Sequence, residues 1–314
     1  NSSLAQNTIT NSTSIDFEAI FTNGISPYTG FDAIADISVT NGTVSTAGAS
    51  GFDFFVEPDS DGHVVVQIND SAVVDQAGNQ SQQSATYTIF SDQTRPTVTL
   101  SSSDISNGGL TNQTSAFSFT ATFTDLTMID SFNPVSSTFM NLTNGAVSNV
   151  MRSGNTFTFD VTPNGDGVVT LDIPENVSFD EASNGNEASN TYSFTVSTVS
   201  PSAEVVSSEI MSNELTSSTA VLFEAVFMDG FSPYDGFDAL NDLSVSNAGI
   251  STAGVIDPFG FDLVPIGDGP VTVSINASAI TDQAGNPNTQ SPTFTFQYDE
   301  TRPDVVLSSS DINS

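Results

Sequence analysis

Residues 92–105 read DQTRPTVTLSSSDI and residues 299–312 read DETRPDVVLSSSDI. The copy continues outward from both. VVDQAGNQ (73–80) matches ITDQAGNP (280–287), and FEAIFTNGISPYTGFDAIADISVTN (17–41) matches FEAVFMDGFSPYDGFDALNDLSVSN (223–247). A weaker copy lies between them. LTNGAVS (142–148) answers VTNGTVS (39–45), DEASN (180–184) answers DQAGN (75–79), and the junction is TVSPSAEVVSSEI (198–210). Self-similarity at a fixed period marks an array of like units in series. The chain therefore reads as an A-type unit at 1–93, a B-type unit at 94–199, a second A-type unit at 200–300 and the start of a fourth repeat at 301–314. Each full unit has roughly 100 residues, an ordinary domain size. The opening NSSLAQN aligns with the middle of a first strand, so the first strand of unit one is expected to be incomplete. On this reading the segment is cut from a longer array at about the same phase at both ends.

Within each unit the hydrophobic period is two, the period of a strand with one buried face. SAFSFTATFTD (115–125), NTFTFDV (155–161), NTYSFTV (190–196) and SPTFTFQYD (291–299) alternate apolar with small polar residues. Turn signals are frequent: NG at 23–24, 41–42, 144–145 and 164–165, and DG at 61–62, 166–167, 229–230, 235–236 and 268–269. No long segment has helical spacing with caps. Roughly 100 residues, about seven short strands and frequent turns describe an immunoglobulin-like β-sandwich. The fold class is all-β, with tandem immunoglobulin-like sandwiches in a linear array. Cys and Trp are both absent, so Phe, Val and Ile must fill each core without the disulfide and tryptophan of antibody domains.

Composition removes several functions. Lys+Arg number 3 against 37 Asp+Glu, a formal net charge of −34, and the basic residues are Arg95, Arg152 and Arg302. Phosphate binding needs clustered Lys or Arg, so nucleic acid is excluded as a partner, as is docking on an anionic membrane. Without cysteine there is no disulfide scaffold, thiol nucleophile or thiolate metal site. No apolar run approaches the roughly 18–20 residues of a membrane span. The first residues lack the basic and apolar regions of a signal peptide and read as a mature or excised segment. Nucleotide-binding, hydrolase and metalloprotease motifs are missing, and one His with no Cys or Lys leaves little acid–base chemistry, so no enzyme is expected. The N-x-S/T sequons, from Asn1 to Asn276, are about as frequent as the Ser and Thr content gives by chance.

The pattern GFD-x-x-x-D-[IL]-S-V-[TS]-N, then P-x-x-D-G-x-V, then D-x-A-G-N, then D-x-T-x-P resembles the bacterial immunoglobulin-like domains that occur in tandem in large repetitive surface adhesins. It is carried at Phe31–Asn41 and Phe237–Asn247, whereas DSFNPVSSTFMNLTN (130–144) departs from it. The resemblance implies an extracellular spacer or adhesion module, often with calcium at or near domain junctions.

Strand order bears on the same point. In an antiparallel sandwich the last strand ends at the C-terminal pole, so the loop before it, D-x-A-G-N, lies at the N-terminal pole. P-x-x-D-G precedes the penultimate strand and lies at the C-terminal pole. At the first junction Asp59 and Asp61 are therefore expected to approach linker Asp92, with Asp180 and Asn184 coming from the next unit. Asp268 and Asp299 repeat the arrangement at the third junction. Ca²⁺ takes about 6–8 oxygens in flexible geometry, and these residues supply them. The middle linker, STVSPSA (197–203), has no carboxylate and is expected to bind calcium weakly or not at all. Each Asp has a second reading as a turn former or Asx cap.

Other residues also carry two readings. Arg95 and Arg302, in identical T-R-P contexts, are interdomain ion-pair candidates or solvated linker charges. Tyr28 in SPYTGFD and Tyr234 in SPYDGFD are possible ligand contacts or pack over a sandwich edge. His63 follows a turn and reads as a surface residue. The sequence thus points to a non-enzymatic extracellular or cell-surface array, a spacer or stalk stiffened by Ca²⁺ at its joints, whose partners are neighbouring repeats. The alternatives are a filament subunit, joined by strand donation between molecules, and a glycan- or protein-binding module.

Overall fold

A computed structural model describes residues 2–23, 25–228 and 231–309. Sequon Asn1, the second residue of the NG at 23–24, the DG at 229–230 and the last five residues of the fourth-repeat start lie outside the described residues.

Alternation of apolar and polar residues produces strands with one buried face. The first group is β1 (Ile9–Thr10), β2 (Ile15–Glu18), α1 (Ala33–Asp36), β3 (Ile37–Thr40), β4 (Gly42–Ser45), β5 (Asp53–Pro58), β6 (Gly62–Ile68) and β7 (Tyr87–Ser91). The second is β8 (Thr97–Ser102), β9 (Gly109–Thr111), β10 (Phe117–Thr124), β11 (Asn141–Thr143), β12 (Gly145–Ser153), β13 (Thr156–Pro163), β14 (Gly167–Asp172) and β15 (Tyr192–Val196). The third is β16 (Ser202–Val206), β17 (Leu215–Thr216), β18 (Val221–Met228), α2 (Ala239–Asp242), β19 (Leu243–Ser246), β20 (Ala248–Ser251), β21 (Gly260–Pro265), β22 (Gly269–Ile275) and β23 (Phe294–Tyr298).

These strands form six sheets in three facing pairs: β2-β5-β4 with β1-β7-β6-β3, β8-β10-β13-β12 with β9-β15-β14-β11, and β16-β18-β21-β20 with β17-β23-β22-β19. In the last pair, the first, third, sixth and fifth strands of the group share one sheet, and the second, eighth, seventh and fourth share the other. Lettered in chain order, that is the ABED and GFC division of the immunoglobulin sandwich, with a short extra strand beside G. The fold is therefore all-β and built of tandem immunoglobulin-like sandwiches.

Aromatic rings join the sheets where a disulfide would otherwise stand. Phe119 of β10 lies 6.1 Å from Phe159 on its own sheet, and 6.2 Å from Phe194 and 5.2 Å from Tyr192 on the facing one. In the third sandwich Phe223 meets Phe261, Phe294 and Phe296 in the same way. Packing divides the chain into two compact units. One comprises Asn1–Gly108, Ser115–Asn164 and Val168–Phe194; the other comprises Gly109–Thr114, Gly165–Gly167 and Thr195–Ser314.

Two sequence signals take unexpected local forms. The NG pairs at 41–42 and 144–145 do not make two-residue hairpins. Asn41 (φ 58°) and Asn144 (φ 52°) are single left-handed residues at which the chain leaves one sheet and enters the other, β3 to β4 and β11 to β12. Gly42 is needed for close approach, since a Cβ there would lie 3.0 Å from Val56 Cγ1 and 3.1 Å from Glu57 O. In the GFD-x-x-x-D motif, Asp32 caps α1 by accepting from Ile34 N (3.0 Å), while Asp36 accepts from Asp32 N (2.7 Å). Asp238 and Asp242 do the same at α2. That pair of acids is a reciprocal helix cap.

Candidate metal centre

Two strand ends and a loop bring acids to one place between the first two sandwiches. Asp92 follows β7, its N–H continuing the parallel ladder to Thr10 O (2.9 Å). Asp125 follows the last residue of β10. Asp180 opens the DEASN loop between β14 and β15. Carboxylate oxygens of Asp92, Asp125 and Asp180 lie within 4.8 Å of one another. Asp92 is 0% and Asp180 3% exposed, and Asp125 is partly buried.

Hydrogen bonds fix the cluster from both sides. Asp180 accepts from Asn184 N (2.7 Å) and Asn184 Nδ2 (2.9 Å), and the same Nδ2 also donates to Asp92 O (2.8 Å). The buried Thr127 hydroxyl faces both Asp92 Oδ2 (3.0 Å) and Asp125 Oδ2 (2.8 Å). It has one proton for two carboxylates. Asp125 Oδ1 is buried and has no hydrogen-bond partner.

Charge balance makes this arrangement costly by itself. Carboxylates whose oxygens lie within 4.8 Å of one another repel by roughly 3 kcal/mol per pair at an effective dielectric of about 20. Burial of Asp92 and the neighbouring Asp125 and Asp180 charges hold its carboxyl above the usual range, against the opposing bonds from Thr127 and Thr94. A donor set of hard oxygens with an unused buried lone pair fits a hard cation.

This sets a pH dependence. A folded-state pKa raised above the ordinary 3.8 means that Asp92 takes up a proton on folding. Its share of stability is then greatest below 3.8 and is lost as pH rises through the raised value. Asp75 and Asp268 are shifted down, the first by the Asn79 side chain and backbone and the second by the Thr301 hydroxyl and Glu300 N–H. Their stabilisation is present above 3.8 and is lost in acid. In chelator, acidification through the raised Asp92 pKa is therefore expected to favour the fold of wild type relative to that of Asp92→Asn, which has no such proton to take up. An identical pH profile for both proteins in differential scanning fluorimetry would contradict this account.

The other sequence candidates go elsewhere. Asp59 accepts from Thr43 Oγ1 (3.1 Å) within its own sandwich. Asp61 accepts from Gln93 N (2.6 Å) and from the Thr94 hydroxyl, so it grips the linker. Asp268 grips Glu300 N (2.7 Å) and Thr301 Oγ1 in the same way, and Asp166 holds Thr198. Asp299 accepts from Thr301 N (2.9 Å). Among the described residues, none of Asp59, Asp61, Asp268 and Asp299 joins a group of three potential ligands. At the middle linker, Asp282 clasps Asn286, whose Nδ2 donates to Ser197 O (2.8 Å), so a buried serine holds the place of Asp92.

Arg95 folds onto the sandwich that follows it. It donates to Gly185 O (2.8 Å), Asn186 O (2.7 Å) and Asn176 Oδ1 (2.9 Å), and meets Glu175 at 3.3 Å. Arg302 is exposed. Tyr28 packs 5.9 Å from Phe21, and Tyr234 5.8 Å from Phe227, each ring at the margin of a core. His63 stacks edge-on with Phe90 at 5.2 Å.

Sequence reasoning missed Asp125. The strand-order logic applied to the D-x-A-G-N loop reaches it too, because the second long strand of a sandwich runs toward the N-terminal pole and delivers its last residue there. Asp229 is the equivalent position in FMD, outside the described residues.

No family model and no curated protein matches the chain. Solved structures resemble it at low identity. Invasin, described as a bacterial integrin-binding protein, is 14% identical over 86% of this chain, with a TM-score of 0.34. The chain spans about half of that structure, 55%. InvD of Yersinia pseudotuberculosis is 13% identical over 92% of this chain and 94% of its own, with a TM-score of 0.33. The D00-D0 domain of intimin is 13% identical over 62% of this chain and 97% of its own, with a TM-score of 0.31. At these TM-scores the likenesses carry no argument about function.

Proposed function

We propose that this chain is a non-enzymatic extracellular array of immunoglobulin-like modules, bounded at 1–93, 94–199 and 200–300 with a further repeat beginning at 301–314, that acts as a spacer or adhesive stalk. Its first joint is fastened by Ca²⁺ held by Asp92, Asp125 and Asp180. The observation that supports this reading is the acid cluster itself, with one carboxylate from the linker, two from the module beyond it, and the unpartnered Asp125 Oδ1.

Each element has a role. Asp92 belongs to the linker, whereas Asp125 and Asp180 belong to the module beyond it, so one ion ties the two together. Asn184 and Thr127 orient the carboxylates before the ion arrives, which lowers the ordering cost of binding. Water completes the coordination that Ca²⁺ requires. The joint at Ser197 has only the Asp282–Asn286 clasp and is held without an ion. Net charge of −34 keeps such an array soluble and enriches divalent cations near its surface.

Isothermal titration of the full chain with CaCl₂, after chelator treatment, tests the reading. One dominant site is expected, and Ca²⁺ should narrow the angle distribution of the first joint in small-angle scattering of a two-module fragment, 1–199. No heat, no thermal shift and unchanged scattering would overturn it.

A further inference from the structure

The outer face of the sheet β16-β18-β21-β20 carries a groove with a volume of about 780 Å³. A missing side chain opens it. The same pair of strands in the three sandwiches sets Glu18 opposite Asp53, Thr120 opposite Thr158, and Glu224 opposite Gly260. A Cβ at Gly260 would lie 2.5 Å from Val255 Cγ1, so the glycine lets the 252–259 loop close onto the sheet. Both walls are held by local bonds. On one side Glu209 accepts from Leu222 N (2.8 Å), and Ser207 Oγ donates to Leu222 O (2.7 Å). On the other, the Asp257 side chain accepts from Phe259 N (2.8 Å) and its carbonyl from Gly260 N (3.0 Å). The groove is therefore formed before anything enters it, which lowers the cost of binding there.

Two kinds of chemistry line it. Leu222, 39% exposed, and Ile256, 98% exposed, present bare apolar surface. Glu224 and Asp262 share the outer face as diagonal cross-strand neighbours, roughly 7 Å apart. Neither carboxylate has a hydrogen-bond or ion-pair partner among the described residues. Residues 200–300 contain no Lys, Arg or His that could supply one.

We propose that this groove docks an arginine side chain of a partner protein, presented on an extended segment with apolar residues beside it. The guanidinium is a planar fork of five donors and can bond both Glu224 and Asp262. Its aliphatic stem lies along Leu222, because long cationic side chains cover apolar surface with their stems. The apolar neighbours of the arginine rest against Ile256.

Charge complementarity selects this occupant over others. A purely apolar segment would cover Glu224 and Asp262 without pairing them, which costs free energy. A bare divalent ion would leave the apolar wall exposed to water. A second copy of the chain brings a net charge of −34 to an acidic groove and is repelled. A basic partner is drawn in by the same field. The groove shares no residue with the Asp92, Asp125 and Asp180 cluster, so docking does not depend on an ion at the first joint.

Fluorescence anisotropy tests this with a labelled heptapeptide that has one central Arg between two Leu on a Gly-Ser background. The full chain is titrated into it in chelator, at about 0.15 M salt, where exposed charges are screened beyond about 8 Å. Saturable binding is expected, and replacing the Arg of the peptide by neutral citrulline should abolish it. Glu224→Gln combined with Asp262→Asn should weaken binding by about tenfold, since two ion pairs are lost. Ile256→Ser changes an exposed side chain, so it should weaken binding while leaving the melting curve intact. Asp16→Asn combined with Asp53→Asn removes the same charge from the first sandwich and should leave binding unchanged. No saturable binding, equal binding of the citrulline peptide, or equal loss in the two double variants would each overturn the proposal.

Discussion

Replacing Asp125 by Asn is expected to move stability in opposite directions with and without Ca²⁺. In chelator the variant should melt higher than wild type, because one of three mutually repelling carboxylates within 4.8 Å is gone. In Ca²⁺ it should lose the ligand-linked gain, which for a single site is about 2.7 kcal/mol when free ion exceeds the dissociation constant a hundredfold. For a domain of roughly 100 residues, each kcal/mol shifts the melting temperature by about 4–8 °C, so the difference is large on a thermal scan. The crossing of the two curves is the informative result. If Asp125 served only to form a turn through its bonds to Thr127 N and Oγ1, Asn would lower or preserve stability equally in both buffers. Parallel shifts in scanning calorimetry would therefore remove Asp125 from the ligand set.

The second large effect is expected in the core. Phe119→Ala should destabilise the second sandwich by about 3–5 kcal/mol, the usual cost of truncating a buried aromatic ring. Phe119 is fully buried and is the ring that touches both sheets, meeting Phe159 beside it and Tyr192 and Phe194 across the interior. No disulfide shares the load, since the chain has no cysteine. The third sandwich has its own cluster around Phe223, so its hydrogen-exchange protection should change little. Protection lost evenly across all three sandwiches would show a single cooperative core and would contradict the modular reading.

Much of the fold is legible in the residue pattern. FSFTATFT declares its inward Phe and Ala by alternation alone, and β10 buries those positions. DEASN and DQAGN announce themselves as one loop used repeatedly, and Asp180, Asp282 and Asp75 form the same clasp to Asn184, Asn286 and Asn79. The site is legible only in part. Asp92, Asp180 and Asn184 converge as strand order requires. Asp61 and Asp268 also lie at the linker, but they spend their oxygens on the N–H and hydroxyl donors of Gln93, Thr94, Glu300 and Thr301. A one-dimensional pattern cannot tell an acid beside a linker from an acid bonded to it. That depends on where the linker turns its few donors.

The amino-acid sequence by itself determined the kind of module. Hydrophobic period, turn residues and repeated segments are local properties, and local properties select strands and the faces they bury. Tertiary structure alone decided which carboxylates share one small volume. Asp92, Asp125 and Asp180 are far apart in the chain, and their meeting is set by strand lengths and by the Asn184 bond to the linker.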